Sequence, residues 1–290
     1  MKSFDYKAPE TVDETVSLLA EFGSDAKLLA GGQSLLVLMR QRLLAPGVVI
    51  ALSHVADLGD IELNGSSSIG SMVRYKTLSQ GAIGSALPLL ARSAGSVGSV
   101  HIRNLGTVGG ALAHCDPSGD VPTALMVLGA QYEALSSRGA KTYDSHDFSV
   151  GLFETQLAED ELLVRVAVPP QPEGASIGYQ RFSYREGEYP MAVAACRLEW
   201  DSNGRCSAAT VAVGGGDAFP KRLPGVEAGL VGFDFDSGDL ESLLQDVARP
   251  DLYAAADIRG GAAWKEKVVM VTLGRALREG HALGQGRVDA

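Results

Sequence analysis

The chain has 290 residues, 46% hydrophobic and 21% charged, with a formal net charge of -10. That length allows two domains of ordinary size, each with its own core. The acidic balance, with no Lys/Arg-rich run, argues against a nucleic-acid partner, which needs a clustered basic face.

No apolar run approaches the roughly 20 residues needed to span a bilayer. The N-terminus MKSFDYKAPE lacks the apolar core of a signal peptide, so the expected compartment is the cytoplasm. The 3 cysteines, Cys115, Cys196 and Cys206, form no CxxC, which argues against a disulfide framework and against an iron–sulfur or zinc site on this chain. Redox chemistry would need a bound organic cofactor. Glycine accounts for 35 residues, well above the usual share of roughly 7%.

In chain order, Thr11 and Glu14 read as a capping box. Val12, Val16, Leu19 and Phe22 continue an apolar stripe at helical spacing, and Gly23 suits its end. AKLLA (26–30) reads as a buried strand, Ser34–Leu44 as a helix and GVVIAL (47–52) as another strand. Gly31-Gly32-Gln33-Ser34 stands where a dinucleotide fold would carry G-x-G-x-x-G, so that motif is absent. Ser67–Tyr75 reads as strand, Leu78–Ala94 as helix, Val121–Gly129 as a buried helix, and Gln131–Asp144 as a hairpin around Arg138-Gly139. Glu161–Pro169 is a strand ended by proline, and PPQPEG (169–174) is the clearest linker. Beyond it, Gly178–Tyr184, Ala192–Trp200 and Ser207–Val213 form a meander, with DSNG as its second turn. A helix over 262–278 places Trp264, Val268, Val271 and Arg275 on one side. The pattern predicts an α+β protein of two parts meeting near residue 172.

Two glycine-paired loops, LLAGGQSLL (28–36) and NLGTVGGALAHCDPSGD (104–120), read equally well as plain turns or as a cradle for a diphosphate. Glycine removes the Cβ, which lets successive N–H groups converge on anionic oxygens. Gln33, Ser34 and Thr107 add side-chain donors, and a Cβ branch at Gly32 or Gly110 would fill the space. Asp116 and Asp120 are separated by Pro-Ser-Gly, which prevents one helix from carrying both. As loop carboxylates they can accept hydrogen bonds from ribose or ribityl hydroxyls, and they also suit a turn (Asp116) and a helix cap (Asp120).

LLAGGQSLLVLMRQRLLAP and IRNLGTVGGALAHCDPSGDVPTALMVLGA resemble the two signature loops of the FAD-binding medium subunit of molybdenum hydroxylases, the carbon monoxide dehydrogenase and xanthine dehydrogenase family. The resemblance runs from FDYKAPETVDETVSLL through YQRFSYREGEYPMAVAACRLE to the helical tail. It implies a two-part FAD-binding domain like that of vanillyl-alcohol oxidase over 1–172, with subdomains of about 1–57 and 58–172. A smaller domain over 173–290 then holds a three-stranded antiparallel sheet and helices. It also implies that Ala30, Gly31, Gly32, Gln33 and Ser34, with Leu35, wrap the FAD pyrophosphate. Thr107, Gly109 and Gly110 close over it from the other side, Asp116 and Asp120 hold its sugar-like part, and Tyr189 lies beside the isoalloxazine ring. The family places Fe–S clusters of the 2Fe–2S type on a small subunit and the molybdenum cofactor on a large one, in a dimer of heterotrimers. The flavin subunit passes electrons from those clusters to an external acceptor.

Two departures stand out: Ala111 replaces a common serine, and Pro190 follows Tyr189 where alanine is usual. No histidine lies in GGQS, so the FAD is expected to be non-covalent. Two competing functions are a self-contained flavin oxidase and a cofactor-free scaffold subunit. Among other residues, Arg103 and Asn104 suit either a phosphate contact or solvent, and His101 suits a surface. Phe182, Tyr184 and Trp200 read as core, Pro220–Arg222 as a solvated turn rather than a contact with FAD, and Cys115 as inert and buried rather than placed near the cofactor.

Overall fold

A computed structural model describes residues 2–286, so the last four positions of the expected second domain lie outside the described residues. The chain opens with β1 (Asp5–Lys7) and α1 (Val12–Phe22), then β2 (Ala26–Leu29), α2 (Leu35–Arg40) and β3 (Val48–Ala51). These three strands form a parallel sheet ordered β1-β3-β2. Thr11 Oγ1 accepts the Glu14 N–H at 3.1 Å and caps α1. The Glu14 carboxylate accepts from the Glu10 N–H, one residue before the usual partner. Gly23 ends the helix at φ +49. The helix expected to reach Leu44 stops at Arg40, because Arg42 turns left-handed at φ +62 and the Leu43 N–H folds back on the Leu38 carbonyl.

The second layer holds β4 (Ile61–Asn64), β5 (Ser66–Gly70), six helices, then β6 (Gln131–Ser136), β7 (Gly139–Asp144), the short pair β8 (Ser149–Gly151) and β9 (Glu154–Thr155), and β10 (Leu162–Val168). Its main sheet is antiparallel, ordered β4-β5-β10-β6-β7. β5 ends earlier than its sequence pattern implied: a Cβ on Gly70 would lie 2.3 Å from the Leu58 carbonyl oxygen, and the chain turns there. The single helix expected over 78–94 is three: α3 (Tyr75–Leu78), α4 (Gly81–Ala86) and α5 (Pro88–Ser96). Gly81 at φ +63 and Pro88 at the first turn of α5 make the breaks. Then come α6 (Val100–Leu105), α7 (Val108–His114) and the fully buried α8 (Asp120–Val127).

The third layer is antiparallel: β11 (Ser176–Phe182), β12 (Ala192–Trp200), β13 (Cys206–Gly214) and a two-residue β14 (Lys221–Arg222). The fourth strand was not expected, and it replaces the solvated turn read at 220–222. Arg222 reaches Glu227 at 2.9 Å, and Lys221 reaches Asp217 at 2.7 Å. Helices α9 (Pro224–Leu230), α10 (Leu240–Val247) and α11 (Ala262–Gly284) complete the chain.

Alternation decides how this sheet is used. Ala192, Ala194, Cys196 and Leu198 face a core built with α9, α10 and α11. Tyr179, Val193, Ala195 and Ala212 face the other way, into the core of α5, α8 and the second sheet. The C-terminal sheet is therefore a shared wall, apolar on both faces. On α11 the buried side carries Val269, Leu273, Ala276 and Leu277, whereas Trp264 and Val271 are partly exposed on the outer side. Tyr184 is a further correction: it is exposed, while Phe182 and Trp200 pack against the core as expected. No described helix is long and apolar enough to cross a membrane.

Candidate functional site

The first glycine loop follows β2 at the open end of the parallel sheet. A Cβ on Gly31 would sit 2.0 Å from the Leu105 carbonyl oxygen, so this glycine lets the first loop press against the second. Gly32 has φ +71, the left-handed region that glycine adopts without a steric penalty. Its missing Cβ would meet the Leu36 side chain at 2.9 Å. The Gln33 side-chain amide donates to the Gly31 carbonyl at 3.0 Å and stiffens the loop from within. Among the described residues, the backbone N–H groups of Gly31, Gly32, Gln33 and Ser34 donate to no protein acceptor. A left-handed glycine followed by consecutive free amides makes a concave donor surface suited to an anion.

The second loop is built differently. Thr107 caps α7, its Oγ1 accepting the Gly110 N–H at 3.1 Å. The Val108 and Gly109 amides donate to the Val73 and Ser71 carbonyls at 3.0 and 2.8 Å. These amides are satisfied within the protein, so this loop offers the Thr107 hydroxyl rather than a row of N–H groups. A Cβ on Gly109 would lie 2.5 Å from Ser71 Cβ, and one on Gly110 would lie 2.9 Å from Thr107 Oγ1. A side chain at Gly110 would thus disturb the helix cap first, rather than simply fill the space between the loops. Ser71 is nearly fully buried at this junction, and among the described residues its hydroxyl has no hydrogen-bond partner.

Both loops line one cleft of about 730 Å³. Ala30, Gly31, Gly32, Gln33, Ser34, Leu35, Thr107, Gly109, Gly110, Asp116, Asp120 and Tyr189 all lie on its wall. The two aspartates part ways: Asp116 forms the turn its sequence allowed, whereas Asp120 is not the helix cap. Asp116 makes a local turn, Oδ1 accepting both the amide and the hydroxyl of Ser118 at 2.9 Å. Asp120 is the first residue of α8, but its side chain does not cap the helix. Its Oδ1 accepts from the Tyr179 hydroxyl at 2.5 Å and from Arg181 Nε at 3.0 Å, both on the C-terminal sheet. Burial pushes its carboxyl above the usual carboxylate range, while Arg181 and Tyr179 act the other way.

Tyr189 lies on the β11–β12 connection, half-exposed at the cleft. Partial desolvation lifts its phenol above the ordinary range, Asp116 adds to this, and a hydrogen bond with Ser34 opposes it. His101 is exposed, and Arg103 Nη1 is spent on the Val97 and Gly98 carbonyls at 3.0 and 2.8 Å. Cys115 is buried at a left-handed φ of 51°, where desolvation raises its thiol.

Several wall residues escaped the sequence reading: Ser71, Tyr75, Phe153 and Arg181; His114, weighed there only as a metal ligand with Asp116 and Asp120, also lies on the wall. His114 packs against Phe153 with ring centroids 5.1 Å apart. Arg181 was findable, because Tyr179 and Arg181 are two apart on a strand and so share a face. Ser71 and Phe153 carried no local signal. Among the described residues no group of three or more His, Cys, Asp or Glu side chains could hold a metal ion.

The donors fit FAD: free amides and hydroxyls suit a diphosphate, carboxylates suit sugar hydroxyls, and Tyr75 and Tyr189 offer aromatic faces. The chain also resembles known proteins along its whole length. Residues 2–171 match the FAD binding domain in molybdopterin dehydrogenase, and residues 177–280 the CO dehydrogenase flavoprotein C-terminal domain. It is 34% identical to the nicotine 6-hydroxylase medium subunit of Paenarthrobacter nicotinovorans, covering 96% of this chain and 97% of that one. It is 32% identical to the carbon monoxide dehydrogenase medium chain of Afipia carboxidovorans, covering 97% of each. The structure overlays that of a chain of carbon monoxide dehydrogenase from Hydrogenophaga pseudoflava with a TM-score of 0.92 at 32% identity, over 99% of both chains. The loops, the fold and these likenesses agree, and the chain belongs to the family of FAD-binding medium subunits of molybdenum-dependent dehydrogenases.

Proposed function

We propose that this chain is the FAD-carrying electron-transfer subunit of a cytoplasmic molybdenum hydroxylase complex. Its partners in this reading are a small subunit with 2Fe–2S clusters and a large subunit with the molybdenum cofactor, arranged as a dimer of heterotrimers. Bound FAD supplies the exchange between single-electron delivery from the clusters and two-electron release to an external acceptor. The chain's own residues bind and orient. The Gly31–Ser34 amides receive the diphosphate, Thr107 donates from the facing loop, and Asp116 and Asp120 accept from the sugar-like chain. Tyr189 covers the ring.

The observation that carries this reading is the row of four amides, unpartnered among the described residues, on a loop bent by Gly32 and opening into a cleft of cofactor size. The two medium subunits of similar sequence, both from multi-subunit enzymes by name, support the choice of partners.

The test is purification from the native complex. Stoichiometric FAD, released on denaturation, together with co-purifying iron–sulfur and molybdenum subunits, is the expected result. A colourless protein that takes up no added FAD would overturn it and favour a scaffold. Bleaching of the flavin by an organic substrate in this chain alone would instead identify a self-contained oxidase.

A further inference from the structure

The connection between β11 and β12 belongs to the C-terminal part, yet Gly187 to Pro190 form part of the cleft wall. It is pinned on its outer side: the Tyr184 hydroxyl donates to the Arg259 carbonyl at 2.8 Å, and the Tyr184 ring stacks on Trp264 at 6.0 Å. Its base is closed by the Met191 N–H, which donates to the Phe182 carbonyl at 2.7 Å.

On the cleft side Arg181 holds it, beside the Tyr189–Ser34 hydrogen bond. Arg181 Nε donates to Asp120 Oδ1 at 3.0 Å, and its Nη2 donates to the Glu188 carbonyl at 2.9 Å. The next residue after Glu188 is Tyr189. The Arg181 and Asp120 side chains are 16% and 4% exposed, so the pair is shielded from solvent screening. Tyr179 fills the other approach to Oδ1 at 2.5 Å, and among the described residues Asp120 Oδ2 accepts no hydrogen bond. A planar guanidinium can bridge a carboxylate and a carbonyl at fixed geometry, whereas a lysine ammonium has one nitrogen on a flexible stem.

We propose that Arg181 is a positioning residue for the flavin: by bridging Asp120 and the Glu188 carbonyl, it holds Tyr189 at the ring and turns Asp120 Oδ2 toward the cofactor's sugar-like chain. This rests on the FAD reading above. Arg181 makes no chemical step of its own, and it links the C-terminal sheet to the cofactor through two groups at once.

The experiment compares wild type, Arg181→Lys and Arg181→Met in the intact complex. Three readouts are followed: the FAD dissociation constant, the visible-region circular dichroism of the bound flavin, and the melting temperature. Arg181→Met is expected to weaken FAD binding at least about tenfold, because a buried charged hydrogen-bond network is broken. It is also expected to alter the dichroism of the flavin that stays bound. Arg181→Lys, reaching one partner at a time, is expected to bind within about threefold of wild type but with altered dichroism. Unchanged dichroism and affinity in both variants, with wild type fully loaded, would overturn the positioning role and leave the FAD reading standing. Lowered thermal stability with a wild-type flavin band would also overturn it, since the contact would then be structural alone. If Arg181→Met fails to fold, the band of Arg181→Lys decides the matter. A wild-type complex that holds no FAD would overturn both readings.

Discussion

A methyl group at Gly31 would sit 2.0 Å from a backbone oxygen, while one at Gly32 would meet only side chains, Leu36 at 2.9 Å and Leu29 at 3.3 Å. The two adjacent glycines therefore fail differently when replaced. Gly31→Ala must force the loops apart, at a cost of about 2–3 kcal/mol typical of overpacking against a rigid neighbour. Gly32→Ala keeps the loop contact and costs about 1–2 kcal/mol for a left-handed alanine. Thermal melts should rank Gly31→Ala as the more damaging, and equal losses would contradict this division of roles.

His114 gives a pH signature at the same scale. Burial lowers its pKa below the ordinary histidine value, and the nearby Asp116 only partly offsets this. The unfolded chain then binds more protons than the folded one as pH falls through about 6.5, so stability is present above that pH and drains away below it. Replacing His114 with Asn should flatten the decline in melting temperature between pH 7 and 5. An unchanged slope would show that other groups govern it.

At the scale of elements, most strands and α1, α8 and α11 were legible, because alternation, capping residues and helical stripes are local. The misreadings arise where local breakers interrupt an apolar stretch or where distant segments decide a residue's role. Gly81 and Pro88 split one apolar helical stretch into three pieces, and Arg42 ends α2 in a conformation no sequence rule assigns to arginine. The site follows the same division. The glycine loops and aspartates could be found from motifs and family resemblance. That Gly109 is needed to clear Ser71, and that Asp120 answers to Tyr179 and Arg181, could be seen only once distant segments met. Thr107 tests how far α7 depends on its cap: Thr107→Ala should cost about 1 kcal/mol and loosen the start of the helix. Faster amide exchange at Gly110, whose N–H the hydroxyl accepts, is the expected observation.

At the scale of the molecule, the C-terminal sheet governs how the parts cohere. Its two faces feed two cores, so Val193 and Ala195 belong as much to α8 as to their own sheet. The proline-rich segment over 169–174 reads as a boundary in the sequence, but in the structure the apolar packing continues past it. Its residues are largely exposed and carry few of these contacts.

A protease that cut this segment would sever the polypeptide without parting the fold. The two fragments should migrate together through a sizing column, melt as one cooperative unit, and separate only in denaturant. In the finished molecule the sheet itself, apolar on both faces, acts as the adhesive.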